Sequence, residues 1–351
     1  MNTSNLITFL SQSFLGKYLL VKSITDISYN GHSIFVLDNE KGRLKSEIFV
    51  EQQTVRDFIR QIANICEKQF SYQSPYLDVS FANFRINAVH QSIGRYLNEE
   101  VVTFSIRIGS TQLRISDSSD FLTPELVSLF KTLIKSKLSI AVAGLTGSGK
   151  TELQKYLISL MPEMTRTIII DNVSELSYLQ LNDSVDITSW LANEEIPLFS
   201  SKNLIKTALR NNPDWLIVAE SRGEEMWDVL NSVLTGHPII TTLHSLDVDS
   251  MPTRMTRMVM MSNGSLDYQT VYDDITYHIS FYIYTKRIIS DSKVTRYVSN
   301  VSYFYSGKMN PIFIRDNNKL EFHKIDKTVL RKISEENMDD LFIKTFTEDY
   351  E

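Results

Sequence analysis

Along the first hundred residues the apolar positions follow two rhythms. Val55, Phe58, Ile59 and Ile62 recur at helical spacing within residues 54–68, whereas SIFVLD, LDVSF, RINAV and VVTFSIRI carry the shorter alternation of half-buried strands. The mixture predicts a small α+β domain over residues 1–110. At its start, Leu6, Ile7, Leu10 and Phe14 share one face of a short helix, expected to pack on the core or on a partner chain. The polar run STQLRISDSSDF has neither rhythm and predicts a linker over residues 111–122, ending near Phe121. Thr123, Pro124 and Glu125 then supply an N-cap, a first-turn proline and an early acid ahead of Leu126, Leu129, Phe130 and Leu133. A second domain, residues 123–351, therefore opens with a helix.

In that domain four apolar runs read as strands: Leu138–Ala143, Thr167–Ile170, Trp215–Ala219 and Ile239–Leu243. Helical stripes lie between and after them, through Leu153, Tyr156, Leu157 and Leu160, through Leu204, Ile205, Ala208 and Leu209, and through Met226, Val229, Leu230, Val233 and Leu234. This alternation predicts βαβ units and a parallel sheet. Gly236 stands where a helix C-cap is expected. An extension from about residue 252 mixes both rhythms: MPTRMTRMVMM reads as a helix with core methionines, while ITYHISFYIY and VTRYVSNVSYFY read as antiparallel strands. A turn is expected at residues 316–318, and VLRKISEENMDDLF as a closing helix.

Composition narrows the class. The 351 residues are 42% hydrophobic, as in globular domains, and their 36 basic and 42 acidic side chains leave a formal charge of −6. That balance lacks the global basic excess of a dedicated nucleic-acid binder, so no direct nucleic-acid partner is expected. The single cysteine, Cys66, excludes an intrachain disulfide and a four-cysteine zinc site, and suggests a reducing compartment and a buried core thiol. No run approaches the roughly 20 apolar residues of a transmembrane segment. The N-terminus also lacks the basic start of a secretory signal.

The chemistry concentrates after the strands. GLTGSGKT, Gly144–Thr151, has the spacing of a phosphate-binding loop and lies between a buried strand and an amphipathic helix. Gly144, Thr146, Gly147, Ser148 and Gly149 would turn backbone N–H groups onto phosphate oxygens. Lys150 would reach the β- and γ-phosphates of ATP, and the Thr151 hydroxyl would ligate Mg²⁺. Open α/β sheets bind ligands beyond the carboxyl ends of their strands. Those positions hold Asp171 and Glu175, Glu220 and Arg222, and His244. Glu220 ends the apolar run WLIVA, where a solvated acid has little reason to sit, and is a second candidate Mg²⁺ ligand. Glu175 lies in a polar loop, Arg222 could serve as a surface ion pair, and His237 and His244 could each be structural.

These residues resemble the secretion or traffic ATPases of type II and type IV secretion, conjugation and type IV-like pili. TIIIDNVSEL resembles the family's acidic box, ALRNNPDWLIVAESRGEE its Walker B segment, and TGHPIITTLHS its histidine box. ITDISYNG, SPYLDVSFANFRINAV and VVTFSIRI resemble the N-terminal domain of the tight-adherence (Flp) pilus and conjugation-type branch. The resemblance implies an α/β fold, a RecA-like P-loop NTPase domain with a parallel sheet preceded by a smaller α+β domain. It implies Glu175 as the glutamate that activates the attacking water, Glu220 as the Walker B glutamate, and His244 as the box histidine. Arg222 matches the arginine after Walker B, and Arg85 and Arg107 match N-terminal-domain arginines that approach the nucleotide. The family's N-terminal domain closes over its ATPase domain, and its subunits form homo-hexamers. Membership further implies a cytoplasmic location at the membrane face, with an inner-membrane platform or secretion-channel proteins as partners. There are departures: Asp171-Asn172 stands where Glu-Asp is common, and Glu224 where a second glycine often follows Arg-Gly.

The expected function is ATP hydrolysis that powers pilus assembly or substrate export. A nucleotide-dependent scaffold with weak hydrolysis and a DNA-translocating motor are the alternatives.

Overall fold

The computed structural model describes residues 3–110, 113–116, 120–173, 175–176, 186–262, 264–290, 293–316 and 319–348. The chain divides into two compact units. One holds Met1–Thr111 with Val173–Tyr178 and Ile288–Thr295, and the other holds the remainder.

The first unit begins with helices α1 (Thr3–Gln12) and α2 (Gly16–Leu19). Strands β1 (Ile24–Tyr29), β2 (Ile34–Asp38) and β3 (Gly42–Lys45) follow, then α3 (Gln52–Ile65), β4 (Tyr76–Phe81) and β5 (Phe84–Val89). A two-strand ribbon, β6 (Arg95–Tyr96) and β7 (Glu99–Glu100), precedes β8 (Thr103–Ile108). The main sheet runs β3-β2-β1-β8-β5-β4 and is antiparallel throughout. Strand alternation puts Leu77, Val79, Ile86, Ala88, Phe104 and Ile106 on one face, where α3 covers them with Val55, Phe58, Ile59 and Ile62. Full burial of each such side chain stabilises the unit by about 1.5–3 kcal/mol. Cys66 lies buried at the end of α3, as its spacing predicts. Only part of the expected α1 face is apolar contact. Leu6 and Leu10, one turn apart, are fully buried, Ile7 is 41% exposed, and Phe14 lies beyond the helix end with its ring 4.9 Å from that of Phe58.

The second unit opens with α4 (Pro124–Lys135), and the Thr123 hydroxyl accepts from Leu126 N–H at 3.4 Å, the expected N-cap. Then come β9 (Ile140–Gly144), α5 (Lys150–Ser159), β10 (Thr167–Asp171), β11 (Ile187–Leu191), α6 (Ser201–Leu209), β12 (Trp215–Val218), α7 (Met226–Leu234) and β13 (Ile239–Leu243). Helices α8 (Met251–Ser262) and α9 (Tyr268–His278) lead to β14 (Phe281–Ser290), β15 (Lys293–Tyr305), β16 (Lys308–Asp316), β17 (Lys319–Phe322), α10 (Lys327–Leu330) and α11 (Asp340–Phe346). The sheet order is β11-β10-β12-β13-β9-β14-β15-β16-β17, parallel from β11 to β14. The fold is therefore the expected α/β type, a parallel sheet preceded by an α+β unit.

Four local expectations need correction. Edge strand β11 goes unforeseen because ITSWL is only half buried and lacks a clear alternation. ITYH belongs to α9, whose Asp267 caps Thr270 N–H at 2.7 Å and whose Val271 and Ile275 are buried one turn apart. The strand begins only at Phe281, and β14 pairs parallel with β9; antiparallel pairing is found in β15-β16-β17. The closing segment is not one helix, because Asp339 caps Phe342 N–H at 2.8 Å and starts a new turn after a short 3₁₀ piece at Glu335–Asn337. In α8, Met251, Met255 and Met258 are core, but Met261 is 65% exposed. Residues 317–318 of the expected turn and parts of the expected linker lie outside the described residues.

Candidate nucleotide site

The loop after β9 owes its shape to two glycines. Gly147 has φ +73° and Gly149 φ +102°, in the left-handed region that side chains rarely enter. There is also no room for a side chain: a Cβ on Gly149 would meet the Phe121 ring at 2.7 Å. Gly149 is the N-cap of α5, so the loop turns directly into the helix N-terminus, with Lys150 and Thr151 in the first turn. Lys150 is 8% exposed, and its ammonium donates to the carbonyls of Gly144 at 2.9 Å and Leu145 at 3.3 Å. Thr146 is exposed. The Ser148 hydroxyl is buried against Thr285 Oγ1 of β14 at 2.7 Å, and its N–H donates to the Leu145 carbonyl at 3.2 Å, so both polar groups are already engaged.

The ends of β12 and β13 bring a polar chain to the same lysine. Arg222 Nη2 donates to Glu220 Oε2 at 2.6 Å, His244 Nε2 lies 3.2 Å from Glu220 Oε1, and His244 Nδ1 lies 3.4 Å from Lys150 Nζ. An ammonium can only donate, so Nδ1 accepts and the ring carries its proton on Nε2, facing Glu220. Burial, then the Lys150 charge, lowers the His244 pKa, and the Glu220 carboxylate partly opposes this. Arg222 thus forms the ion pair its alternative reading allowed, but with the strand-end acid. His237 is structural: its N–H and that of Gly236 bond back to Ser232 and Val233 carbonyls at 3.0 and 2.9 Å, a Schellman cap on α7 with Gly236 at φ +90°.

Arg85, Arg107 and Glu175 belong to the first unit. Arg107 Nε is 3.0 Å from Glu175 Oε1, and Arg85 Nη2 is 3.4 Å from Asp78 Oδ2. Arg85 and Arg107 are directly opposite on β5 and β8, an unfavourable like-charge pairing unless anions face it. Asp171 is fully buried at the end of β10, and Asn172 donates to Glu194 and Ser201 at 3.1 and 3.2 Å.

These side chains suit Mg²⁺ and a nucleoside triphosphate. The glycine loop leaves space where any Cβ would intrude, and the buried Glu220 Oε1 has the 3.2 Å approach of His244 Nε2 but no well-aligned hydrogen bond among the described residues. Those residues contain no group of three or more His, Cys, Asp or Glu able to hold a metal. Mg²⁺ beside phosphates needs no such cage, since waters and phosphate oxygens fill most of its octahedron; Thr151 and Glu220 are the residues that would hold it.

The model of the type II/IV secretion system proteins matches residues 81–292. The chain belongs to this family. An uncharacterized protein of Bacillus anthracis is 30% identical over 270 residues, 76% of this chain and 59% of the relative. The type IV secretion system protein VirB11 of Bartonella quintana is 32% identical over 176 residues, 49% of each chain. The alignments thus span about half to three-fifths of these relatives' lengths. Among solved structures, the ATPase DotB of Legionella pneumophila shares the fold at TM-score 0.62 and 18% identity, covering 87% of this chain and 82% of its own. No helix among the described residues is long and apolar enough to cross a membrane.

Sequence reasoning missed Phe121, Thr285, Arg287 and Arg296, all of which touch the loop. They lie on a linker end and on strands without a recognisable motif, so only the tertiary structure reveals them.

Proposed function

We propose that this family member is an ATP-hydrolysing motor that powers pilus assembly or substrate export through a type IV or type II-like secretion machine. In this reading residues 1–110 form an N-terminal domain, 111–122 a linker and 123–351 the ATPase domain. Six copies act as a ring at the cytoplasmic membrane face, with membrane platform or channel proteins as partners. The observation that supports it most is the glycine loop with Lys150 at its floor, joined through His244 to Glu220 and Arg222.

Bound Mg²⁺–ATP supplies the phosphoanhydride to be cleaved and a metal charge that offsets the developing negative charge. Lys150 exchanges its carbonyl partners for phosphate oxygens, and the loop N–H groups hold those oxygens in place. Glu175 orients the attacking water and accepts its proton, and Arg107, 3.0 Å away, holds the carboxylate in place. The adjacent Arg85 and Arg107, together with Arg222, supply positive charge for the transferred phosphoryl group.

Steady-state phosphate release and equilibrium ATP binding test the assignment. Lys150→Ala is expected to abolish both, and Glu175→Gln to retain binding while lowering turnover by about 10²-fold or more. Normal turnover in both variants would reject the mechanism. ATP-driven assembly with background phosphate release in the wild type would favour the scaffold reading.

A further inference from the structure

Two arginines outside every motif lie against the loop. Arg296 of β15 donates its Nε–H to the Gly147 carbonyl at 2.8 Å. Arg287 of β14 approaches so closely that a Cβ on Gly147 would come within 2.7 Å of its Nη1. In a trans peptide the carbonyl and the following N–H point in opposite directions, so the Arg296 bond fixes the plane of the Gly147–Ser148 peptide. That peptide is also held from the other end, where Ser148 N–H donates to Leu145 O at 3.2 Å.

Burial and the charges of Arg287 and Arg114 push the Arg296 pKa down, and Glu152 is the acid that opposes them. The Glu152 carboxylate is itself 3.1 Å from the buried Lys155 ammonium. Two cations, Arg287 and Arg296, thus stand against a loop whose glycines already suit phosphate. Like charges at such range repel by an amount that a bound polyanion would reverse. Arginine is also the side chain best shaped to grip phosphate oxygens in pairs.

We propose that Arg287 and Arg296 form a second, cationic wall of the phosphate cradle, binding the polyphosphate of a nucleoside di- or triphosphate. Arg287 contacts the phosphates, and Arg296 is a positioning residue that orients the Gly147 peptide. The inference rests on the nucleotide reading above and adds to it residues from the C-terminal strands.

The test is equilibrium binding of fluorescent ADP to the full chain, with inorganic pyrophosphate and adenosine as competitors. Arg287→Ala is expected to weaken ADP and pyrophosphate about tenfold or more, the loss of a charge-assisted contact. Arg287→Lys should recover most of that loss, whereas Arg296→Lys should not, because an ammonium cannot reproduce the Nε–H geometry. In turnover assays Arg287→Ala should raise KM for ATP with kcat changed less than about threefold, the mark of binding lost equally in ground and transition states. Circular dichroism without nucleotide checks folding; if Arg287→Ala unfolds, the two lysine variants carry the test. Unchanged pyrophosphate affinity in folded variants, or loss confined to adenosine, overturns the proposal. If the wild type itself fails to bind ADP, or Lys150→Ala binds it normally, the nucleotide reading fails instead.

Discussion

At the scale of single residues, His244 shows how a site can hold a side chain in one protonation state. Its Nδ1 faces an ammonium and its Nε2 a carboxylate, an arrangement that suits the neutral Nε2–H ring. Burial and Lys150 lower its pKa below the ordinary 6.5. The unfolded chain therefore binds more protons than the native one between that lowered value and 6.5, so this residue's contribution to stability falls as pH falls through the window and is constant above it. His90, buried beside Arg60 and Arg56, has the same sign. Imidazole NMR titration should find the Nε2–H tautomer of His244 with a midpoint below 6.5; a midpoint at or above 6.5 would contradict the assignment. The glycine loop, Lys150, Thr151 and the strand-end acids were legible in the sequence because each sits next to its own local signal. The pairings of Arg107 with Glu175 and of Arg296 with Gly147 were not, since each joins residues far apart in the chain.

Secondary-structure elements were readable where cap and periodicity agree. Thr123 and Pro124 start α4, and the core stripes of α3 and α7 fall on the residues expected, except that Leu234 at the end of α7 is 38% exposed. Legibility failed where tertiary pairing decides. The apolar run ITYHISFYIY suits helix and strand alike, and it is the docking of β14 beside β9 that splits it. Asp339 likewise interrupts a helix-rich run because its carboxylate serves better as a cap. The Schellman end of α7 permits a clean measurement of one such signal. At Gly236, φ is +90° and a Cβ would meet nothing within 4 Å, so a substitution there adds backbone strain without a clash. Gly236→Ala should cost about 1 kcal/mol, and Gly236→Asn less, because asparagine tolerates the left-handed region. Thermal midpoints compared at one pH would decide this. Equal losses for the two variants would show that the cost arises elsewhere.

For the whole molecule, charge and architecture bear on which kind of motor this is. A formal charge of −6 gives no general attraction for a polyanionic filament, and a DNA-translocating ring would have to gather its cations locally. The cations the structure does gather, Lys150, Arg287 and Arg296, converge on the phosphate loop. Positive charge is thus concentrated where a nucleotide would use it, a feature that an export motor and a DNA motor would share. A ring of identical subunits requires each copy to offer the same two surfaces to its neighbours, and a ligand bound near those surfaces shifts assembly by mass action. Sedimentation of the wild type with a non-hydrolysable ATP analogue should therefore reveal a closed oligomer of about six copies, and Lys150→Ala should remain smaller at the same concentration. Added double-stranded DNA should change phosphate release by less than about twofold at low salt. A monomer that persists with the analogue would remove the ring from the reading, and DNA stimulation that vanishes steeply with salt would put a nucleic-acid motor in its place.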